Sequence, residues 1–424
     1  MRKPIPYGRY LLLDRVAIGG MAEVYVAVRR DDTSGKLYAV KRILPALAED
    51  GELLQMFLDE ARLGVQLDHP GVVPVHELGR HGEGYYIAMD YVPGRDLRAL
   101  LALARGRREQ VPLPLAAYIG WRVADALDHA HRKRDPRGTP LHVVHRDVSP
   151  ANVLLGFDGS VRVIDFGIAQ AALRTRRDAA LRGKFAYMSP EMAAGGAVDR
   201  RSDVFALGIV LHELLTAARL FAGASELAVL EKVRRAEVRP PSEVNPAVPR
   251  GLDAVVLRAL ARDPAERFAW ASELRDALLP WTHAGSPPGD PPALARFMAR
   301  AFPDELRAEL DRLERLRRTE REPAVEPSPP EKTQVIALRP DEPAAVAGSQ
   351  PAAAGRLVVQ PRAAATLILD GTPHLPLAAD EVRAVPLAPG RHRVEIRTED
   401  GRRAGATIEV AAGQTAALLG IELQ

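Results

Sequence analysis

Apolar positions between residues 8 and 280 switch repeatedly between a period of two and a period near 3.6, with no long polar break. Tyr38-Ala39-Val40-Lys41-Arg42-Ile43 reads as a strand. Residues 52–67 read as a helix whose buried stripe runs through Leu53, Phe57, Gly64 and Leu67. Glu60 falls on that stripe, where a carboxylate needs a cationic partner. The run from Asp203 to Gly208 opens a helix so apolar that it must be buried on all sides. The runs 153–155 and 161–164 flank Asp158-Gly159, the pattern of a β-hairpin.

At residue 284 the pattern breaks in Gly-Ser-Pro-Pro-Gly-Asp-Pro-Pro. Leu294, Phe297, Met298, Phe302, Leu306, Leu310, Leu313 and Leu316 then follow at helical spacing, which predicts one or two amphipathic helices within an extension over 281–321. These either pack back on their own domain or pair two copies as a coiled-coil homodimer. Residues 322–354, rich in Pro, Ala and Glu, predict a disordered linker. Beyond it, apolar runs at 356–359, 365–369, 382–387, 392–396, 405–410 and 416–422 alternate with glycine turns and predict a small all-β sandwich over 355–424. His374 and His392 lack metal-ligand spacing and read as surface residues.

Composition narrows the class. Hydrophobic residues are 47% and charged residues 27% of 424, which suits a globular protein of more than one domain. A formal charge of +3 gives no reason to expect nucleic acid or a membrane surface as partner. Cysteine is absent, which removes disulfides and thiolate metal sites. No apolar run approaches the roughly 20 residues of a membrane span. The N-terminus lacks an apolar signal core, so a cytoplasmic location is the expectation.

The chemistry concentrates in His145-Arg146-Asp147-Val148-Ser149-Pro150-Ala151-Asn152 and Asp165-Phe166-Gly167. The hairpin between them brings Asn152 and Asp165 to its open end. A carboxamide and a carboxylate converging there form a hard-oxygen site suited to Mg²⁺. Asp147 is a carboxylate placed to accept a proton from a substrate hydroxyl.

Both pieces, in this order and spacing, resemble the catalytic loop and metal-binding turn of the protein kinases, and further strings extend the resemblance over 8–280. Gly19-Gly20-Met21-Ala22-Glu23-Val24-Tyr25 resembles the phosphate-covering loop of bacterial Ser/Thr kinases, although Ala17 and Ala22 replace two of its glycines. Tyr86 to Gly94 resembles the hinge between lobes. Tyr187-Met188-Ser189-Pro190-Glu191 and Arg262-Asp263-Pro264-Ala265-Glu266-Arg267-Phe268 are similar to the end of the activation segment and to the C-terminal signature, with Arg267 pairing Glu191. The resemblance implies an α+β, bilobal kinase fold with a β-rich lobe over about 8–90 and a helical lobe over about 91–280. The segment 386–394 resembles the PEGA domain, a small β-module of bacterial proteins.

The resemblance also implies roles. Lys41 positions ATP phosphates and pairs with Glu60; Asp147 is the catalytic base; Asn152 and Asp165 hold Mg²⁺. Val16, Ala17, Gly19 and Gly20 line the phosphate-covering loop. Val24, Ala39 and Leu154 sandwich the base, Met89 gates the rear pocket, the backbones of Asp90 and Val92 take the adenine edge, and Asp96 reaches the ribose. Arg146 would receive a phosphate on the activation segment, with Thr175 the acceptor. The implied activity is ATP-dependent phosphorylation of Ser/Thr hydroxyls on protein substrates and on the chain itself.

Three departures stand out. Ser149 replaces the lysine of the Ser/Thr pattern, Lys184 replaces the usual Thr, and Gly64 replaces an apolar side chain beside Val75, His145 and Phe166. The first two positions are neighbours in the family, so Lys184 is expected to supply the charge that Ser149 lacks. Gly64 is expected to leave a packing gap. A pseudokinase scaffold that binds nucleotide and recruits partners is the alternative reading. In the linker, Thr333 is a candidate acceptor and a mark for a phosphothreonine-reading partner.

Overall fold

The computed structural model describes residues 4–319 except 20, 33, 49, 83 and 167–184, together with 333–336, 355–361, 365–370, 372–377, 383–387, 390–398, 403–410 and 415–421. The chain divides into two compact units, Met1–Asp341 and Glu342–Gln424.

The first unit begins with a curled antiparallel sheet. Its strands are β1 Ile5–Tyr7, β2 Tyr10–Ile18, β3 Ala22–Arg29, β4 Leu37–Ile43, β5 Val75–His81 and β6 Gly84–Asp90, in spatial order β1-β2-β3-β4-β6-β5. Alternation sends side chains to both faces of this sheet, and each face is covered: Ala27 and Val40 join one apolar cluster, Leu78 and Ile87 another, all 1% exposed or less. Asp50 caps the helix Gly51–Gln66 by accepting from the amides of Glu52 at 3.1 Å and Leu53 at 3.2 Å. Leu53, Phe57 and Ala61 bury its inner face, as the period predicts.

The remainder of this unit is helical. Leu113–His131 and Arg200–Thr216 form its centre, and Val204, Leu207, Ile209, Val210 and Leu214 are fully buried. A three-stranded ribbon lies against them: β7 Gly94–Asp96, β8 Val153–Gly156 and β9 Val161–Val163. Val153 pairs with Val163 and Leu155 with Val161, the predicted hairpin. Its turn needs Gly159, whose φ is +83°.

After residue 280 the extension packs back on its own lobe. Asp290 caps Pro291–Ala301 by accepting from the Ala293 amide at 2.7 Å, and Ala293, Leu294 and Met298 enter the helical core. The next helix is Pro303–Thr319. Its inward face uses Leu306, Glu309, Arg312 and Leu313, whereas Leu310, read as part of the apolar stripe, is 55% exposed.

The linker differs from the sequence expectation at one place. Thr333–Ile336 forms strand β10, antiparallel to β5 with Thr333 opposite His81 and Ile336 opposite Leu78. An open sheet edge offers unpaired amides and carbonyls to any extended segment, which overrides a disorder-prone composition. The rest of 322–354 lies outside the described residues.

The second unit carries two sheets. In one, Gly355–Pro361 lies between Arg383–Leu387 and Thr415–Ile421; the other runs Thr372–Leu377, Ala365–Leu369, Gly390–Arg397, Arg403–Val410. Thr372–Leu377 escaped the sequence reading because Pro373 and Pro376 interrupt it. As an edge strand it tolerates both. His392, read as a surface residue, is largely covered and bonds to Asp370 at 2.8 Å.

The expected gap near Gly64 is present as a small cavity that Glu60, Gly64, Val75, Asp165 and Phe166 help to line, but it does not open at the Cβ position. A Cβ there would stand 2.6 Å from a methyl of Val75, so Val75 already fills that position. Gly64→Ala is therefore expected to destabilise the protein in urea titration: overpacking costs about 1–3 kcal/mol against at most about 1 kcal/mol of helix propensity in return. Adding Val75→Ala should recover part of the loss; an additive double variant would refute the contact.

Candidate active site

Strand β4 aims Lys41 inward, into the space between the sheet and the helix Gly51–Gln66. Its Nζ lies 2.6 Å from Glu60 Oε1 and 2.9 Å from Asp165 Oδ1. One ammonium thus serves two carboxylates. Burial alone would lower the Lys41 pKa, but the charges of Asp165 and Glu60 outweigh it and raise the value. Burial also pushes both carboxyls up. At Asp165 the Lys41 charge and hydrogen bond win and its pKa is lowered. At Glu60 burial wins, reinforced by the nearby Asp165 charge, and the pKa is raised.

The loop 145–152 is held from below by Asp203 in the buried helix Arg200–Thr216. Its carboxylate accepts from the amides of His145 at 2.7 Å and Arg146 at 2.8 Å, and His131 Nε2 contacts it at 2.8 Å. Arg146 adopts φ +62° and Asp165 φ +56°, a left-handed backbone that non-glycine residues hold only when their surroundings fix it. His145 is fully buried. Its Nε2 donates to the Ile164 carbonyl at 3.1 Å and its Nδ1 accepts from the Asp147 amide at 3.2 Å, which sets the tautomer. Its ring centre lies 4.6 Å from that of Phe166.

Asn152 Nδ2 donates to the Asp147 carbonyl at 2.8 Å, and the Asn152 carbonyl accepts from the Ile164 amide at 3.0 Å. These bonds bring Asp147, Asn152 and Asp165 to the open end of the hairpin. They also commit the NH₂ end of the carboxamide, so the oxygen of Asn152 is the end that remains for a cation. With the second oxygen of Asp165, the donor set is hard, and it suits a metal that takes one or two protein ligands and completes its shell with phosphate and water.

A small cavity adjoins these groups, lined among others by Glu60, Gly64, Ile87, Met89, Asp165 and Phe166. Ala39 and Met89 are buried in an apolar cluster against which Val24, Leu154 and Val92 pack. Val16 and Ala17 are exposed on β2, and the Gly19 amide donates to the Ala22 carbonyl at 2.8 Å. The Asp90 amide is committed to the Pro74 carbonyl at 3.0 Å. Its carboxylate bonds Lys36 and His76, both at 2.7 Å; burial would raise this group, but these partners hold it below the ordinary carboxylate range. Asp96 has a structural task that the sequence did not reveal. It caps the helix Leu97–Arg107 through the Ala99 amide at 2.7 Å and bonds Arg98 at 3.1 Å.

Ser149, within the loop 145–152, is buried. Gly20, Gly167, Thr175, Gly183 and Lys184 lie outside the described residues. Among the described residues, the buried Arg146 Nε has no hydrogen-bond partner. Away from this site, Arg267 pairs with Glu191 through two bonds of 2.8 Å, as the two sequence signatures imply.

The family model of the protein kinase domain matches residues 10–279. The tyrosine-protein kinase MasK of Myxococcus xanthus is 43% identical over 276 residues, which are 64% of this chain and 43% of that protein. The serine/threonine-protein kinase PrkC of Bacillus subtilis is 35% identical over 269 residues, 63% of this chain and 39% of PrkC. For the serine/threonine-protein kinase PknB of Mycobacterium leprae the identity is 36% over 293 residues, 68% and 45% of the two chains. The chain therefore spans less than half the length of these relatives. The crystal structure of the PknI kinase domain of Mycobacterium tuberculosis superposes with a TM-score of 0.51 at 30% identity, covering 67% of this chain and 99% of that one.

The Arg267–Glu191 pair yields a stability test. Arg267 has a fully buried side chain, and removing it strands a largely buried carboxylate. Arg267→Met is expected to cost about 3–5 kcal/mol in urea unfolding near neutral pH. Burial raises the Glu191 pKa, but the Arg267 bond holds it below its ordinary 4.5. The pair's contribution is therefore full above that value and is lost as pH falls through the lowered one. A variant as stable as the parent at neutral pH would show that the pair contributes nothing.

Proposed function

Because the chain belongs to the protein kinase family, we propose that it transfers the γ-phosphoryl group of ATP to serine and threonine hydroxyls of protein substrates and of itself, in bacterial signalling. The observation that carries this reading is Lys41 held jointly by Glu60 and Asp165. A buried cation fixed at a cleft wall is the arrangement that orients ATP phosphates. Val24, Ala39 and Leu154 would enclose the adenine, with Met89 behind it. Val16, Ala17, Gly19 and Gly20 would cover the phosphates, and Asp96, beyond its capping bond, would meet the ribose.

The hydroxyl oxygen forms a bond to the γ-phosphorus as the bond to the β,γ-bridging oxygen breaks, and ADP leaves. Asp147 orients the hydroxyl and takes its proton. Mg²⁺, held by Asn152 and Asp165, would neutralise charge on the phosphates. Arg146, whose Nε has no hydrogen-bond partner among the described residues, would receive a phosphate on the activation segment.

The two C-terminal sheets support a PEGA-like sandwich that recruits partners. Among the described residues no helix is long and apolar enough to cross a membrane. A cytoplasmic location suits the need for ATP.

Ser149 stands where the Ser/Thr pattern has lysine, and MasK is named a tyrosine-protein kinase. The test must therefore read the acceptor directly. The full chain incubated with ATP and Mg²⁺ is expected to gain phosphoserine and phosphothreonine by mass spectrometry, with Thr333 and Thr175 among the sites and a phosphothreonine-reading partner as the consequence. Asp147→Asn should slow this roughly 10²–10⁴-fold. An unmodified wild-type chain overturns the kinase reading in favour of a nucleotide-binding scaffold. Phosphotyrosine alone overturns the Ser/Thr assignment.

Lys184 and Ser149 form part of the same proposal: Lys184 supplies the cation and Ser149 the hydroxyl that the family attaches at the opposite positions. An ammonium on a flexible stem acts as a point charge from either attachment point. Lys184→Thr is expected to lower kcat tens-fold or more, roughly 2–4 kcal/mol. Ser149→Lys added to it should restore part of the rate. A fully active Lys184→Thr enzyme refutes the exchange.

A further inference from the structure

The helix Pro303–Thr319 supplies none of the groups that hold phosphate or metal. It nevertheless carries a charged cluster against the segment joining the two lobes. Glu309 is 5% exposed, on the inward face where an apolar residue would serve simple packing. Its Oε2 accepts from the Tyr91 hydroxyl at 2.9 Å. Arg312 donates from one terminal nitrogen to the same hydroxyl at 2.9 Å and pairs with Glu309. Arg312 Nε reaches Asp14 Oδ2 on β2 at 3.3 Å.

One guanidinium therefore joins three places: the extension helix, the hinge and the sheet lobe. Tyr91 lies between Asp90 and Val92, whose backbones border the adenine position. Asp14 lies two residues before Val16, on the strand that leads into the phosphate-covering loop. Burial, and then the Glu309 charge, raise the pKa of the Tyr91 hydroxyl far above the ordinary range, so it remains a proton donor at working pH. Phe302 anchors the start of the helix in the core at 5% exposure, which fixes the point from which the two charges reach. Charges this buried are costly compared with apolar residues of equal size, and their established return is a unique geometry.

We propose that Arg312 and Glu309 are positioning residues for the nucleotide site, bracing the hinge through Tyr91 and β2 through Asp14. The proposal rests on the kinase reading above and deepens it. Separation of the lobes moves β2 away from the extension helix and must break the Arg312–Asp14 contact. The brace favours the closed arrangement by that differential contact. Weakening it lowers the fraction of chains competent to bind ATP, which raises the apparent dissociation constant. Once ATP is bound, transfer depends on Lys41, Asp147, Asn152 and Asp165, none of which touches the brace.

The test compares the full chain with Arg312→Ala, Arg312→Lys and Tyr91→Phe. Arg307→Ala on the same helix is the control; its side chain is 74% exposed and pairs with Asp304 at 3.5 Å. Steady-state kinetics give KM for ATP and kcat separately, and amide hydrogen exchange is followed over 10–18 and 89–93. Arg312→Ala should raise KM about 3- to 10-fold with kcat within about twofold, the scale of one or two charge-assisted bonds acting on a closure equilibrium. Arg312→Lys should fall between it and the parent. Tyr91→Phe should raise KM about twofold, and Arg307→Ala should match the parent. Exchange should quicken in both segments in Arg312→Ala. KM unchanged in both Arg312→Ala and Tyr91→Phe overturns the brace, as does a loss confined to kcat. A wild-type chain that neither binds nor consumes ATP overturns the kinase reading instead. Exchange then decides the brace alone, with unchanged rates in Arg312→Ala refuting it.

Discussion

A single buried ammonium between two carboxylates imposes the strictest condition on this fold. Lys41 is on a strand, Glu60 on a helix, and Asp165 follows a hairpin of the other lobe, yet all three meet within 2.9 Å. The cluster carries one positive and two negative charges when fully ionised, and burial penalises each. It is tolerable only if the helix Gly51–Gln66 sits at a fixed depth against the sheet and residue 165 at a fixed height above the loop 145–152. The close approach of Gly64 to Val75 accommodates the first distance, because a Cβ at 64 would stand 2.6 Å from a Val75 methyl and one of the two would have to shift. Asp203 sets the second. By accepting two consecutive loop amides it holds Arg146 in a left-handed conformation that free solution would not favour.

These two fixings are of different kinds. The helix is positioned by apolar packing, which is non-directional and tolerant of small slides. The loop is positioned by hydrogen bonds to a buried carboxylate, which are directional and costly to leave unmade. The groups assigned to phosphoryl transfer lie on the hydrogen-bonded side, and the group that pairs with Lys41 lies on the packed side. Movement of the Glu60 helix can therefore interrupt the ion pair without disturbing the geometry of Asp147 and Asn152.

The parts that the sequence made legible are those in which one residue type has one physical reason to be present. A carboxylate on a buried helical stripe demands a cation, and Glu60 finds Lys41. Asp-Gly between apolar runs demands a turn, and Val153 to Val163 forms the hairpin. A buried Asp at the start of an apolar helix demands donors, and Asp203 finds amides. Illegible features depended on distant surfaces. Gly64 looked like a deficit because nothing in its own helix shows that Val75 fills the Cβ position. Strand β10 was hidden by linker composition, since its pairing depends on an edge about 250 residues earlier. Glu309 and Arg312 were not singled out in the sequence, because periodicity counts only apolar residues and cannot register a buried ionic pair. Asp96 was matched to a ligand role while its capping bond to the Ala99 amide went unnoticed.

The segment after residue 280 returns to the sheet lobe at two separated places. Arg312 meets Asp14 on β2, near one edge of the sheet, and β10 pairs with β5 at the other. The two attachments differ in strength for a physical reason. The first combines a helix anchored in the core with charge-assisted bonds, while the second is a four-residue strand held by its backbone at an edge, and so short an isolated pairing is marginal in water. Thr333 begins that strand, opposite His81. A threonine paired within a sheet cannot enter a cleft as an extended acceptor, so its modification requires the strand to leave the edge first. A dianionic phosphate adds charge and bulk at the start of the strand, which would oppose its return. Under the proposed activity, the weaker attachment is the one whose release and modification would be coupled, and under the proposed brace the stronger would keep the hinge in place meanwhile.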